Sequence, residues 1–192
     1  GDHPDLHSFP TRRSSDLVGG WLNGAVVADA SLKRVLWVER PPEAVSIRHV
    51  VFSPDGKTLY EGDSGGGCVY VVETQTGRVL QQRYATETGR AIYGHRISCI
   101  ASSADGAWIA AGTGPEGQVF LFDMTTPGQR PIMLPHGYSS VLMVSFSPDG
   151  RHVASVAGGI IKIWAVPAVK VGASQPGIGP RTQPANSASL RS

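Results

Sequence analysis

The chain has 192 residues, 41% of them hydrophobic and 17% charged, with a net charge of +2 and 24 Gly and 14 Pro. That size allows one domain with a buried core, and the Gly and Pro load suits short strands joined by many turns. A charge so near zero argues against nucleic acid or an anionic membrane as partner, and Lys162 interrupts the best apolar run, Val153 to Val169, before it could span a membrane.

The first segment in chain order, Asp5 to Leu17, reads DLHSFPTRRSSDL. It resembles the translation, in one reading frame, of a short-read sequencing adapter over all its positions. Residues 1–17 are therefore set aside as a non-native, adapter-derived segment, and His3 and His7 are not offered as ligands. The expectation is of a fragment whose native start is missing. With no Met and no apolar core at the opening, no signal peptide is legible, so localisation stays open with the cytoplasm favoured.

From Ala25 onward β-rich runs alternate with turns. Ala25 to Asp29 and Arg34 to Glu39 read as the last two strands of a unit whose beginning is lost. The next unit has strands at Ile47 to Phe52, Thr58 to Glu61, Val69 to Glu73 and Arg78 to Tyr84, with Gly62 to Gly67 as a flexible loop. A second follows at Ile97 to Ser102, Trp108 to Ala111, Val119 to Asp123 and Pro131 to Leu134. The third stops after three: Val141 to Phe146, His152 to Val156 and Ile160 to Trp164. Beyond residue 167 the chain turns rich in Gly, Pro, Ser and Gln, so 168–192 reads as a disordered tail or linker.

A repeated phrase punctuates these units: Phe52-Ser53-Pro54-Asp55-Gly56, Ser102-Ser103-Ala104-Asp105-Gly106 and Phe146-Ser147-Pro148-Asp149-Gly150. Its glycines lie 50 and 44 residues apart, a period that signals stacked four-stranded units. Pro presets φ and Gly accepts a positive φ, so the chain reverses at each copy. Val141 to Gly150 followed by Ile161-Lys162-Ile163-Trp164 resembles the WD-repeat β-propeller family. The Trp-Asp dipeptide itself is degenerate, its place taken by Ala28-Asp29, Val72-Glu73, Phe122-Asp123 and Trp164-Ala165. The fold expectation is an all-β, incomplete WD-repeat propeller of about three and a half four-stranded antiparallel blades over residues 18–167.

The resemblance also implies a histidine before the first strand of a blade, bonded to an Asp in the loop between the second and third strands. Gly94-His95 and Pro135-His136 offer the histidine, while Gly66, Glu116 and Gly158 stand at the acid's place, so that network is expected to be absent or weak.

Catalysis has little to stand on. Gly62-Asp63-Ser64-Gly65-Gly66 spells the nucleophile signature of chymotrypsin-like proteases, but a triad needs a His base and an orienting Asp from well upstream, and His49 lacks that family's setting. No HExxH, paired CxxC or phosphate-cradling glycine loop occurs, so no metal, cofactor or catalytic residue is assigned. Cys68 and Cys99 lie in apolar runs and read as buried free thiols.

What remains is recognition by loops on a rigid scaffold. The loops that gather at one face supply Tyr93, His95, Arg96, Glu116, His136 and Tyr138, aromatic and charged groups suited to a protein partner. The reading is a non-catalytic protein-interaction scaffold, with a regulatory or sensor propeller of a larger enzyme as the alternative.

Overall fold

The computed structural model describes residues 46–168 apart from 87, 89–94, 127 and 138, together with the backbone of three earlier strands. Every regular element among them is a β-strand. They are β1 (Ser15–Gly19), β2 (Ala25–Asp29), β3 (Val35–Glu39), β4 (Ile47–Phe52), β5 (Thr58–Asp63), β6 (Cys68–Glu73) and β7 (Val79–Tyr84). Then come β8 (Ile97–Ser102), β9 (Trp108–Thr113), β10 (Gln118–Asp123), β11 (Ile132–Pro135), β12 (Val141–Phe146), β13 (His152–Ala157) and β14 (Ile160–Ala165). They form four antiparallel sheets in sequence order, β1 to β3, β4 to β7, β8 to β11 and β12 to β14. β4 lies against β8 and β8 against β12, so the second, third and fourth sheets follow one another like propeller blades, and the described blades form an incomplete propeller.

The repeated phrase is a hydrogen-bonding module that closes the turn from the first to the second strand of a blade. Ser53 Oγ donates to Asp55 Oδ1 at 2.7 Å and accepts from Thr58 N at 3.0 Å, while Lys57 N donates to Asp55 Oδ1 at 3.0 Å. Ser103 with Asp105 and Ser147 with Asp149 repeat the pattern, receiving Trp108 N at 2.9 Å and His152 N at 3.0 Å. Gly56, Gly106 and Gly150 hold φ of 67°, 72° and 69°, a region that L side chains occupy at a cost. Ala104 replaces the proline in the second copy and the Ser–Asp bond, the N–H bond to Asp105 and the Gly N–H bond to Ser103 O are kept, so Ser, Asp and Gly carry the turn.

The middle strands of the two four-stranded sheets are covered on both faces, which explains their almost unbroken apolar runs in β6 and β10. Tyr60, Val69 and Val71 of the second sheet meet Ile97, Ile109, Phe120 and Phe122 of the third. On the third sheet's other face Cys99, Trp108, Val119 and Leu121 pack with Val141, Val144 and Val153 of the fourth. Each such side chain contributes about 1.5–3 kcal/mol when fully buried. Arg83 adds a polar tie between blades, donating through one guanidinium nitrogen to Asp123 O at 3.2 Å and Gln129 O at 3.0 Å. Cys68 and Cys99 are buried and form no disulfide among the described residues.

Three elements depart from the sequence reading. β5 and β9 run two residues further, to Asp63 and Thr113, taking in Gly62, which read as loop, and Gly112, which lay beyond the expected end of its strand. The reason is close approach: a Cβ at Gly62 would lie 2.6 Å from Ile97 Cγ2, and one at Gly112 would lie 2.7 Å from Val141 Cγ1. The glycines admit the next blade's first strand. At the start of the chain β1 adds a third strand to the expected pair, and it pairs with β2 from Ser15↔Asp29 to Gly19↔Ala25, entering the adapter-like segment. As expected, the fourth sheet has three strands among the described residues, and Ile161 and Ile163 of β14 are 68% and 70% exposed.

Candidate functional site

The face opposite the Ser-x-Asp-Gly turns is formed by the β5–β6 and β9–β10 turns and by the chain that leads into β4, β8 and β12. These segments are laced together by backbone bonds. Ser64 N donates to Ser46 O at 2.9 Å and Gly114 N to Arg96 O at 2.7 Å, fixing each turn to the lead-in of its own blade's first strand. On the other side Ala85 N donates to Gly67 O at 2.7 Å and His136 N to Gly117 O at 2.9 Å. A loop face tied in this way is ordered before any partner arrives, which lowers the entropy lost on binding.

Asp63, the acid of the GDSGG string, is part of that lacing. Its Oδ1 accepts Ser46 N at 3.0 Å and its Oδ2 accepts Gly66 N at 2.8 Å. The carboxylate is buried and holds the turn through these two bonds.

The sequence-predicted residues separate on this face. Tyr93 and Tyr138 lie outside the described residues. His95 is half-buried against the β5–β6 turn, where a Cβ on Gly67 would come within 2.8 Å of its own Cβ, and its Nδ1 is buried without a partner among the described residues. Glu116, half-buried in the β9–β10 turn, likewise has its Oε2 buried and unpartnered among the described residues. Arg96 is exposed, its stem running past Gly114. His136 is buried, with Nε2 3.2 Å from Ser155 O, and serves the packing of the fourth sheet instead of offering a surface contact. Trp164 Nε1 donates to Ser155 Oγ at 3.0 Å in the same blade. The histidine network is thus built from His136, Ser155 and Trp164 even though Gly158 stands where the acid was sought.

Sequence reasoning passed over the groups that gather around Arg96. A cleft of about 230 Å³ opens where the second, third and fourth sheets meet, lined by Arg48, His49, Ser64, Arg96, Ser98 and Ser140. β4 and β8 both carry a register shift at the same place, between Ile47 and His49 and between Ile97 and Cys99. A bulge re-aims the extra residue, which is Arg48 in one strand and Ser98 in the other. The signal was present in the spacing, since each lies five residues before the Ser of its turn phrase, Ser53 or Ser103. Partial burial holds His49 below the usual imidazole range, so near neutral pH the cleft's positive charge comes from the two arginines.

Residues 87–123 and 129–165 match the family model of the WD domain, G-beta repeat. The first match takes in β8 to β10, and the second begins at the third sheet's outermost strand and ends with β14. One sequence repeat therefore straddles two blades. A chain in the crystal structure of the mitotic checkpoint complex is similar in fold, with a TM-score of 0.66 and 19% identity over 80% of this chain and 47% of that one. This chain thus spans about half the length of that chain, and likeness at such identity concerns the fold alone. No curated protein matches the sequence. With its turn module, blade order and sequence repeats in agreement, residues 87–165 carry WD repeats within an incomplete β-propeller.

Proposed function

We propose that this chain is a non-catalytic scaffold that binds a protein partner through the loop face holding His95, Arg96 and Glu116. The supporting observation is the lacing of that face: in the second and third sheets the turns are tied by backbone bonds to the segments on either side of them. Rigid frames that present polar and charged loop residues are suited to recognition, and WD-repeat propellers serve in general as interaction platforms. Tyr93 and Tyr138 extend the proposed face by their place in the sequence. Propeller residues 18–167 carry this role.

Partner capture by the immobilised full chain tests the reading. Arg96→Glu and Glu116→Lys should abolish recovery of a partner that the unmodified chain retains, whereas Arg151→Glu at the opposite end should leave recovery intact. Loss with Arg151→Glu, or retention with both loop-face variants, would overturn it.

A further inference from the structure

The geometry points to an anionic side chain of a partner polypeptide, a carboxylate or a phosphoserine, as the group that seats in the cleft between Arg48 and Arg96. This rests on the interaction-face reading and names the chemistry of its partner. Two guanidinium-bearing side chains from adjacent blades line one cleft, and neither joins an ion pair among the described residues, whose salt bridges are Lys57 with Asp55 and Arg78 with Glu73. Asp63, the residue before Ser64, is committed to the turn, accepting backbone N–H groups from Ser46 and Gly66. Two like charges facing one space repel, and an anion between them converts that repulsion into charge-assisted hydrogen bonds.

Ser64 and Ser140 add hydroxyl groups at the rim, while the Ser98 hydroxyl is committed to Gly112 O and Val141 O. The arginine fork suits paired oxygens of a carboxylate or phosphoryl group. Size narrows the ligand further. At about 230 Å³ the cleft is smaller than the pockets of about 300–1,000 Å³ that enclose whole small molecules, and suits one or two side chains projecting from a larger partner. Two arginines are also few for a nucleic-acid backbone, which needs a longer run of phosphate contacts for useful affinity.

Fluorescence anisotropy with the full chain tests the assignment, using three labelled peptides of equal length: one alternating Asp and Glu, one with Asn and Gln in their place, and one carrying a single phosphoserine. The acidic or the phosphoserine peptide should bind and the neutral one should not, and whichever binds more tightly identifies the source of the anion. Arg48→Gln and Arg96→Gln should each weaken that binding about ten-fold, with added salt weakening it too, and Arg151→Gln should have no effect. Equal binding of charged and neutral peptides, or binding indifferent to both arginine variants, would overturn the proposal. So would a single-stranded oligonucleotide that binds more tightly than either charged peptide and is lost in the same variants. If no peptide binds yet loop-face variants still abolish partner capture, the anionic ligand falls and the interaction face stands. If capture is also indifferent to the loop face, both fall.

Discussion

Ser103→Ala removes one oxygen from the turn of the third sheet, and the structure sets what that oxygen is worth. Ser103 is fully buried, its Oγ donates to Asp105 Oδ1 at 2.6 Å, and it accepts from the backbone N–H of Trp108 at 2.9 Å. Alanine leaves that N–H without its acceptor in a place water does not reach, and an unsatisfied buried donor costs about 1–3 kcal/mol. Ser147→Ala deletes the same two bonds in the fourth sheet, where Asp149 and His152 are exposed and water takes over as partner. Its cost should be a small fraction of the first. Urea unfolding of the full chain, followed by tryptophan fluorescence, reads the difference. With an m-value of about 2 kcal/mol/M, Ser103→Ala should lower the midpoint by about 1 M with m unchanged. An equal or larger shift for Ser147→Ala would refute the argument that burial, and not the bond count, sets the value of the turn module.

Gly112→Ala should be destabilising by about 1–3 kcal/mol in the same assay, through overpacking. Its Cβ would sit 2.6 Å from Cys99 Sγ and 2.7 Å from Val141 Cγ1, whereas Gly128→Ala meets nothing within 4 Å and carries only the strain of a φ of 78°. Gly128→Ala costing more than Gly112→Ala would contradict the packing account. Acid should weaken the fold through its turn carboxylates: Asp105 is held below the usual range by Ser103 and then Ala107 N, and Asp149 by Ser147 and then Arg151 N. A lowered folded pKa favours the ionised form, so this stability is present above the unfolded value of about 3.9 and is lost as pH falls through the folded values. Midpoints measured from neutral pH downward should therefore drop, and Ser103→Ala should flatten part of that drop; a midpoint that rises on acidification would oppose it. Last, the outer face of β14 exposes Ile161 and Ile163, with Leu142 and Met143 also uncovered, and such apolar surface favours association. Sedimentation velocity should show association that grows with concentration and is reduced by Ile161→Lys with Ile163→Lys, and a chain monomeric at all concentrations would argue against it.

Much of this protein was legible without coordinates because its rules are local. A Ser, an Asp and a Gly at fixed offsets close a turn through bonds among near neighbours, so three copies placed three first strands, β4, β8 and β12, at their observed bounds. Apolar runs flanked by turns did the same for β6 and β10 to within a residue. Local rules failed where a residue answers to another blade. Gly62 read as loop because glycine marks turns, and Gly112 lay beyond the expected end of its strand, yet each is strand kept bare for Ile97 or Val141, dozens of residues away in sequence. His136 read as a surface contact because it lies between strands, but its ring is buried against Ser155 of the next sheet. The cleft was invisible for the same reason. Arg48, Arg96 and Ser140 come from segments far apart in the chain, and only the stacking of three sheets brings them around one space. Sequence by itself determined the repeating unit, since a turn and its flanking strands are encoded within some forty residues. Tertiary structure alone decided which side chains share a surface, because that depends on how one blade's first strand meets the next.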